Sequence, residues 1–388
     1  MTRAAKHLVR ELNDGSFEFV SNGEFSFEQG GSINPLVLVY ETFGRLNAMK
    51  SNAVLVHHAL SAGSHVAATE GNPEPGWWQE MVGPGKPIDT DEFFVICINN
   101  LGSCFGSSGP ASIDPATSRQ YGATFSAVTM VDMVRSQKLL IDYLGIEKLH
   151  AVVGSSMGAM LSMTWLALFP DHARKMVSIS SCARVYPANA ANRMLQRETI
   201  VADPAWNGGD YRSNGELPGF KTARKIGLLT YRNPAQINDR FIGKAGRDTI
   251  ENYLDYNAEK FVNRFDCNSY LTLLNAMDAF DLRIGGRELI DVFRRIKTKV
   301  LVVSVDSDVL FPPSQQQELY QLLFEASVDV RFIAHRSGYG HDAFLVETDA
   351  FGQYIRSLLD SESKGSERRR VWPFVTAQAT GVVDTQWR

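Results

Sequence analysis

Seven short apolar runs, spaced along most of the chain, most tightly constrain the fold. They lie at residues 36–40 (LVLVY), 53–56, 93–98, 149–153, 176–179, 300–305 and 328–333. Runs of this length, apolar throughout, suit strands buried on both faces of a largely parallel sheet. Helical patterns separate several of them. Residues 129–144 place Met130, Met133, Val134, Leu139, Leu140 and Tyr143 near helical spacing, and Gly145 follows as a C-cap. Residues 157–169 form a second apolar helix pattern, ended by Pro170. Strands alternating with helices predict a doubly wound α/β fold.

The stretch 183–295 breaks this alternation. It carries helix formers at 192–202, 219–230, 248–265 and 268–281, and few β-branched runs. The expectation is a helical lid inserted between a first core segment, 1–182, and a second, 296–360. Residues 361–388 begin SESKGSERRR and turn polar, which predicts a tail, mobile rather than docked through Trp372 and Phe374.

Composition narrows the function classes. The 388 residues carry 39 basic and 43 acidic side chains, a net charge of −4, so no basic surplus points to nucleic acid or a membrane surface. No stretch approaches the about 18 apolar residues of a membrane span. The N-terminus lacks an apolar core for a secretory signal, and Glu11 and Asp14 come too early for a transit peptide. Cys97, Cys104, Cys182 and Cys267 form no paired motif, which suits a reducing compartment. The expected location is the cytoplasm.

Gly154-Ser155-Ser156-Met157-Gly158 joins the apolar run 149–153 to the apolar helix after it. This is G-x-S-x-G in a strand–turn–helix setting. Small residues on either side allow a sharp turn that lifts Ser156 Oγ above the sheet, at a helix N-terminus whose N–H groups suit a developing oxyanion. A nucleophilic serine needs a base, and the base needs an orienting carboxylate. In a sheet of this kind their order is serine, acid, histidine. His341, in the loop Gly338-Tyr339-Gly340-His341-Asp342, is the candidate base, and His335 is read as a surface or loop residue. The run 300–305 ends in Asp306-Ser307-Asp308, at the strand end where open α/β sheets place their sites. Asp308 sits further into the loop, with Asp306 as the alternative or a loop cap. Met157 N–H and Leu60 N–H, the latter after the run 53–56, are the candidate oxyanion donors. His57 and His58 are adjacent and point to opposite faces of a strand, so no metal site is expected.

These residues and their loops resemble the homoserine O-acetyltransferase family of the α/β-hydrolase superfamily across residues 36–358. The resemblance rests on HHALSAGSHVA (57–67), GWWQEMVGPGKPIDTDEFFVICINNLGSCFGSSGPASIDP (76–115), VVGSSMGAM (152–160), TARKIGLLTYR (222–232), SDVLFPP (307–313) and GHDAFL (340–345). The segments 194–211 and 307–318 look like its serine O-succinyltransferase branch.

The resemblance implies an α/β-hydrolase fold and a ping-pong acyltransferase. Ser156 takes an acyl group from acetyl-CoA or succinyl-CoA as co-substrate, with no bound cofactor. His341 is the base, and Asp308 rather than Asp306 orients it. The acceptor is the side-chain hydroxyl of L-homoserine or L-serine, feeding methionine or cysteine synthesis. Arg224 matches the arginine that holds the acceptor's carboxylate, and Asp342 the carboxylate that holds its ammonium; a guanidinium fork suits the first, a carboxylate the second. A succinyl donor calls for a cation near the acyl pocket, with Arg232 and Arg184 as options. A homodimer through the lid helices is also implied. The rivals are an ester hydrolase using the same triad, acyl transfer to a secondary metabolite, and a non-catalytic binding scaffold.

Overall fold

The computed structural model describes residues 7–246 and 248–361. Among them a nine-stranded sheet runs through the molecule. Its strands are β1 (His7–Glu11), β2 (Phe17–Ser21), β3 (Leu36–Phe43), β4 (Ala53–His57), β5 (Phe94–Ile98), β6 (Leu149–Ser155), β7 (Ala173–Ile179), β8 (Lys299–Val305) and β9 (Val330–His335). The spatial order is β1-β2-β3-β5-β4-β6-β7-β8-β9. The first four strands in space pair antiparallel, and from β5 to β9 every pairing is parallel.

The apolar runs become central strands because both faces of each are covered. Leu55, Val152, Met176, Val300 and Val302 face one core with Met133, Leu140, Met160, Leu319 and Leu323. Their neighbours Val54, Val56, Val153, Val177, Leu301 and Val303 face the other, with Trp78, Met81, Phe351 and Ile355. Successive side chains point to opposite faces, so a strand with apolar residues at every position needs two such layers.

The helix predicted over 129–144 is α1 (Met130–Tyr143). Thr129 caps it: its hydroxyl accepts from the Asp132 N–H at 3.2 Å, and the Asp132 carboxylate accepts from the Thr129 N–H at 3.0 Å. The next helix, α2 (Met157–Leu168), is buried at every position except Leu168, which explains why its sequence is apolar all round.

Between β7 and β8 the chain runs through α3 (Pro187–Val201), α4 (Pro218–Tyr231), α5 (Pro234–Phe241), α6 (Ile250–Val262), α7 (Cys267–Asp278) and the short α8 (Leu289–Phe293). This excursion leaves and returns through one neck. The Val185 N–H donates to the Phe280 carbonyl at 3.1 Å, and the Leu282 N–H to the Ala183 carbonyl at 3.2 Å. The chain closes with α9 (Pro313–Glu325), α10 (Ala343–Val346) and α11 (Thr348–Leu359). The tail expected beyond residue 361 lies outside the described residues.

Several elements escaped the sequence reading, among them β1, β2, α5 and the helices α8 to α11. β1 and β2 lie at the sheet edge, and the outermost, β1, alternates half-buried and exposed residues over most of its length, so neither forms an apolar run. α5 buries no residue and so shows no core-facing stripe.

Candidate active site

Ser156 sits between β6 and α2 with φ 55° and ψ −127°, a conformation a serine adopts only where its surroundings enforce it. Its N–H donates to the Ile179 carbonyl of β7 at 2.9 Å, and its carbonyl takes the Ala159 and Met160 N–H groups. The flanking glycines are steric necessities. A Cβ on Gly154 would stand 2.2 Å from the Gly158 carbonyl oxygen, and one on Gly158 would stand 2.1 Å from that of His57. The first turn of α2 therefore lies directly on the end of β4, and Leu60 follows in the turn just beyond.

Ser156, Asp308 and His341 arrive from the ends of β6, β8 and β9 and meet. His341 Nδ1 lies 2.8 Å from Asp308 Oδ2, and His341 Nε2 lies 2.8 Å from Ser156 Oγ. A carboxylate only accepts, so Nδ1 carries the proton and Nε2 is left to accept from the serine hydroxyl. Asp308 has no freedom to turn: its Oδ1 accepts from the Leu310 and Phe311 N–H groups at 2.9 and 2.8 Å. Burial alone would push the His341 imidazole down, but Asp308 outweighs it by charge and hydrogen bond, and the group sits above its ordinary value. All three side chains are nearly closed off from solvent, Ser156 being 6% exposed.

Asp306 does different work. Its carboxylate accepts from the Ser337 N–H at 3.0 Å, and the neighbouring Ser307 hydroxyl donates to the Ser337 carbonyl and accepts from the Gly340 N–H. Both residues brace the loop that delivers His341. His335 is not the surface residue its sequence position suggested. β9 continues two residues past its apolar run, which buries the ring against Glu347 and Tyr354 at 2.9 and 3.1 Å.

The helical excursion contributes Arg224, from α4. Its guanidinium stacks 4.2 Å from the Phe261 ring and 5.1 Å from the Tyr231 ring, and donates to the Tyr231 hydroxyl at 3.1 Å. It is only 9% exposed, yet its Nε has no hydrogen-bond partner. Tyr231, which the sequence reading missed, links it to the triad, with its ring centred 6.1 Å from that of His341. The signal was present: positions 224 and 231 are two helical turns apart on one face.

Asp342 meets a cation within the chain, Arg232 Nε, at 3.1 Å. Burial raises its carboxyl above the usual range, while Arg232, His341 and Arg224 pull the other way. Arg184 pairs with Glu318 at 2.8 Å. Each of the two cations considered for a dicarboxylic acyl group thus faces a carboxylate of its own chain.

Leu60 and Met157 are both buried, Met157 within the elbow and Leu60 in the turn that follows β4. His57 Nδ1 and Nε2 meet Ser162 Oγ and Gln137 Oε1, while His58 Nδ1 and Nε2 meet the Ala59 carbonyl and the Asn100 N–H. Among the described residues no cluster of three or more His, Cys, Asp or Glu side chains could hold a metal ion, and no helix is long and apolar enough to cross a membrane.

The α/β hydrolase fold family matches residues 52–348. A homoserine O-acetyltransferase of Moorella thermoacetica is 41% identical over 345 residues, 86% of this chain and 92% of that protein. One from Geobacter sulfurreducens is 39% identical over 88% of this chain and 96% of its own. Among solved structures, the homoserine O-acetyltransferase of Bacillus anthracis superposes with a TM-score of 0.84 at 26% identity, covering 92% of this chain and all of that one. Esterase E22 superposes at 0.80 and 28% identity with the same coverage. This chain belongs to the homoserine O-acetyltransferase family, acyltransferases built on the α/β-hydrolase fold.

Proposed function

We propose that the protein transfers an acyl group from acyl-CoA to the side-chain hydroxyl of an amino acid, through an acyl-serine on Ser156. His341 Nε2 takes the Ser156 proton as Oγ attacks the thioester carbonyl. The Leu60 and Met157 N–H groups receive the oxyanion. Collapse breaks the C–S bond, and His341 returns the proton to the departing CoA thiolate. In the second half the acceptor hydroxyl loses its proton to His341 and attacks the acyl carbonyl; Ser156 Oγ leaves and regains the proton. Asp308 holds the imidazole in the Nδ1–H form throughout and stabilises its cation.

The observation that carries the acceptor assignment is Arg224: a buried guanidinium with a free Nε, no carboxylate within ion-pair distance among the described residues, and Tyr231 joining it to His341. An ester hydrolase has no use for it, whereas an amino acid's carboxylate satisfies it. Asp342 receives the acceptor's ammonium, sharing its charge with Arg232. The relatives' names favour L-homoserine and an acetyl donor, which places the reaction in methionine synthesis. L-Serine and a succinyl donor are the competing pair, and one methylene of acceptor length is worth only about 1–3 kcal/mol in a pocket.

The helices between β7 and β8 act as the lid over this site. Met194, Leu195, Leu229, Ile242 and Tyr256 leave apolar surface exposed there, which we assign to a homodimer contact. Light scattering showing a monomer at micromolar concentration would contradict that contact.

The test of the reaction is free-thiol release from acetyl-CoA and succinyl-CoA, each with L-homoserine, L-serine and no acceptor. Release that depends on one amino acid supports transfer and names both substrates. Equal release without an acceptor favours the esterase reading, which the likeness to esterase E22 keeps as the alternative.

A further inference from the structure

His58 is fully buried, touches neither the nucleophile nor its base within hydrogen-bond reach, and has no part in the chemistry above. Its two ring nitrogens are nonetheless both committed. The Asn100 N–H, just beyond β5, donates to Nε2 at 3.1 Å. A backbone N–H can only donate, so Nε2 offers its lone pair and the proton of the neutral ring resides on Nδ1. That Nδ1–H donates to the Ala59 carbonyl at 2.8 Å. Burial keeps the ring neutral, with its pKa pushed down to about 4.

The Ala59 carbonyl belongs to the same peptide unit as the Leu60 N–H. In a trans peptide the C=O and N–H point in opposite directions. The Ala59 oxygen takes two donors, His58 Nδ1–H and, at 3.1 Å, the Ala62 N–H. Among the described residues no acceptor takes the Leu60 N–H. A flip of this one peptide would replace the oxyanion donor by a carbonyl oxygen, which repels an oxyanion.

We propose that His58 is a positioning residue that holds the Ala59–Leu60 peptide in its donor-out orientation and so keeps the oxyanion site assembled before substrate arrives. The proposal rests on the acyl-serine reading and on Leu60 as an oxyanion donor. Asn100 sets the tautomer, and its own side chain accepts from Gln137 Nε2 at 3.1 Å, tying the device to α1. The paired histidines thus have a structural logic: His57 braces the elbow through Ser162, whose hydroxyl also reaches the Gly158 carbonyl, and His58 braces the facing turn.

Two substitutions separate positioning from packing. In His58→Asn the amide nitrogen lies the same number of bonds from Cα as Nδ1, so the donor to Ala59 is kept. In His58→Gln the amide matches Nε2, so the Asn100 contact is kept and the clamp is lost. Acylation by p-nitrophenyl acetate and inhibition by a trifluoromethyl ketone, which forms an oxyanion on the serine, are measured for both. His58→Gln is expected to lose about 10²-fold in acylation rate and in ketone affinity together, as removal of one oxyanion donor does, with KM little changed; His58→Asn should recover most of both. Equal losses in the two variants, or a rate loss with ketone affinity intact, would overturn the proposal. Nitrogen NMR of the unmodified protein gives a check that no folding defect can blur: His58 should show a protonated Nδ1 and a bare Nε2, and the opposite tautomer overturns the clamp. A wild-type protein that gives no acylation burst would instead sink the acyl-serine reading.

Discussion

The rim of the sheet and the helical excursion above it handle polar groups in opposite ways. At the ends of β6, β8 and β9 the reacting groups are committed: Asp308 spends one oxygen on two backbone N–H groups and the other on His341, and His341 spends its second nitrogen on Ser156. In the excursion, Arg224 is buried with Nε unpartnered, and the Arg264 guanidinium is held below its ordinary value by partial burial and by the Arg224 charge. A self-satisfied cluster is preorganised for chemistry that is the same for every substrate. A buried guanidinium with one donor to spare suits a particular anionic group. On the proposed function the fold divides the labour: strand ends would carry bond making and breaking, with Asp342 at the acceptor's ammonium, and the helical excursion would supply Arg224 to the acceptor's carboxylate.

That division can be broken from either side. The largest effects belong to the rim. Ser156→Ala should remove turnover by about 10⁶-fold and Asp308→Asn by about 10⁴-fold, as in comparable triads, with urea unfolding midpoints close to wild type. Residual thiol release above about 1% of wild type in Ser156→Ala would show that the elbow is not where the acyl group goes.

Next comes the excursion. Arg224→Ala should raise the acceptor KM by about 10²-fold, as expected for removing a charged hydrogen-bond partner, while the acyl-enzyme burst keeps its rate. Equal damage to both half-reactions would erase the distinction between the two regions.

A third effect lies beneath the rim and concerns stability. Burial pushes His57 down to about 3 and His58 to about 4. The unfolded chain therefore binds these protons first as the pH falls through about 6.5, and stability is lost between there and pH 4, by about 1.4 kcal/mol per pH unit for each histidine. Urea titrations at pH 5 and 7 read this slope, and equal midpoints would mean that the histidines are not held neutral. The smallest effect is at Asp306. Asp306→Asn keeps a carbonyl oxygen for the Ser337 N–H, so it should cost less than about 1 kcal/mol of stability and leave the rate near wild type, in contrast to Asp308→Asn.

Burial decided how much of this was legible in the sequence. β4, β6 and β8 each carry an apolar run because two layers cover them, so composition alone exposed them. β1 and α5 face solvent along much of their length and left no such trace. The elbow was legible because sterics demand glycine on both sides of Ser156, and the order of Ser156, Asp308 and His341 narrowed the partners. What the sequence could not report were contacts between distant segments: Arg232 on Asp342, Tyr231 against His341, and Asn100 on His58. Tyr231 shares a helix face with Arg224, but no local pattern ties any of these residues to its partner, and only the packing of α4 and β5 against the strand ends brings them together. Composition left Asp306 and Asp308 nearly even, two similar carboxylates on one loop, and the family resemblance favoured Asp308; physically the choice depends on which one the backbone of Leu310 and Phe311 holds toward His341.

The central claim is that Ser156 carries the acyl group between donor and an amino acid. Intact-protein mass spectrometry after mixing with acetyl-CoA, followed by peptide mapping, tests it most directly. The account predicts one acetyl group on Ser156 that persists in water and is discharged on adding the amino-acid acceptor. An unmodified Ser156, or an adduct lost equally fast without any acceptor, would contradict it.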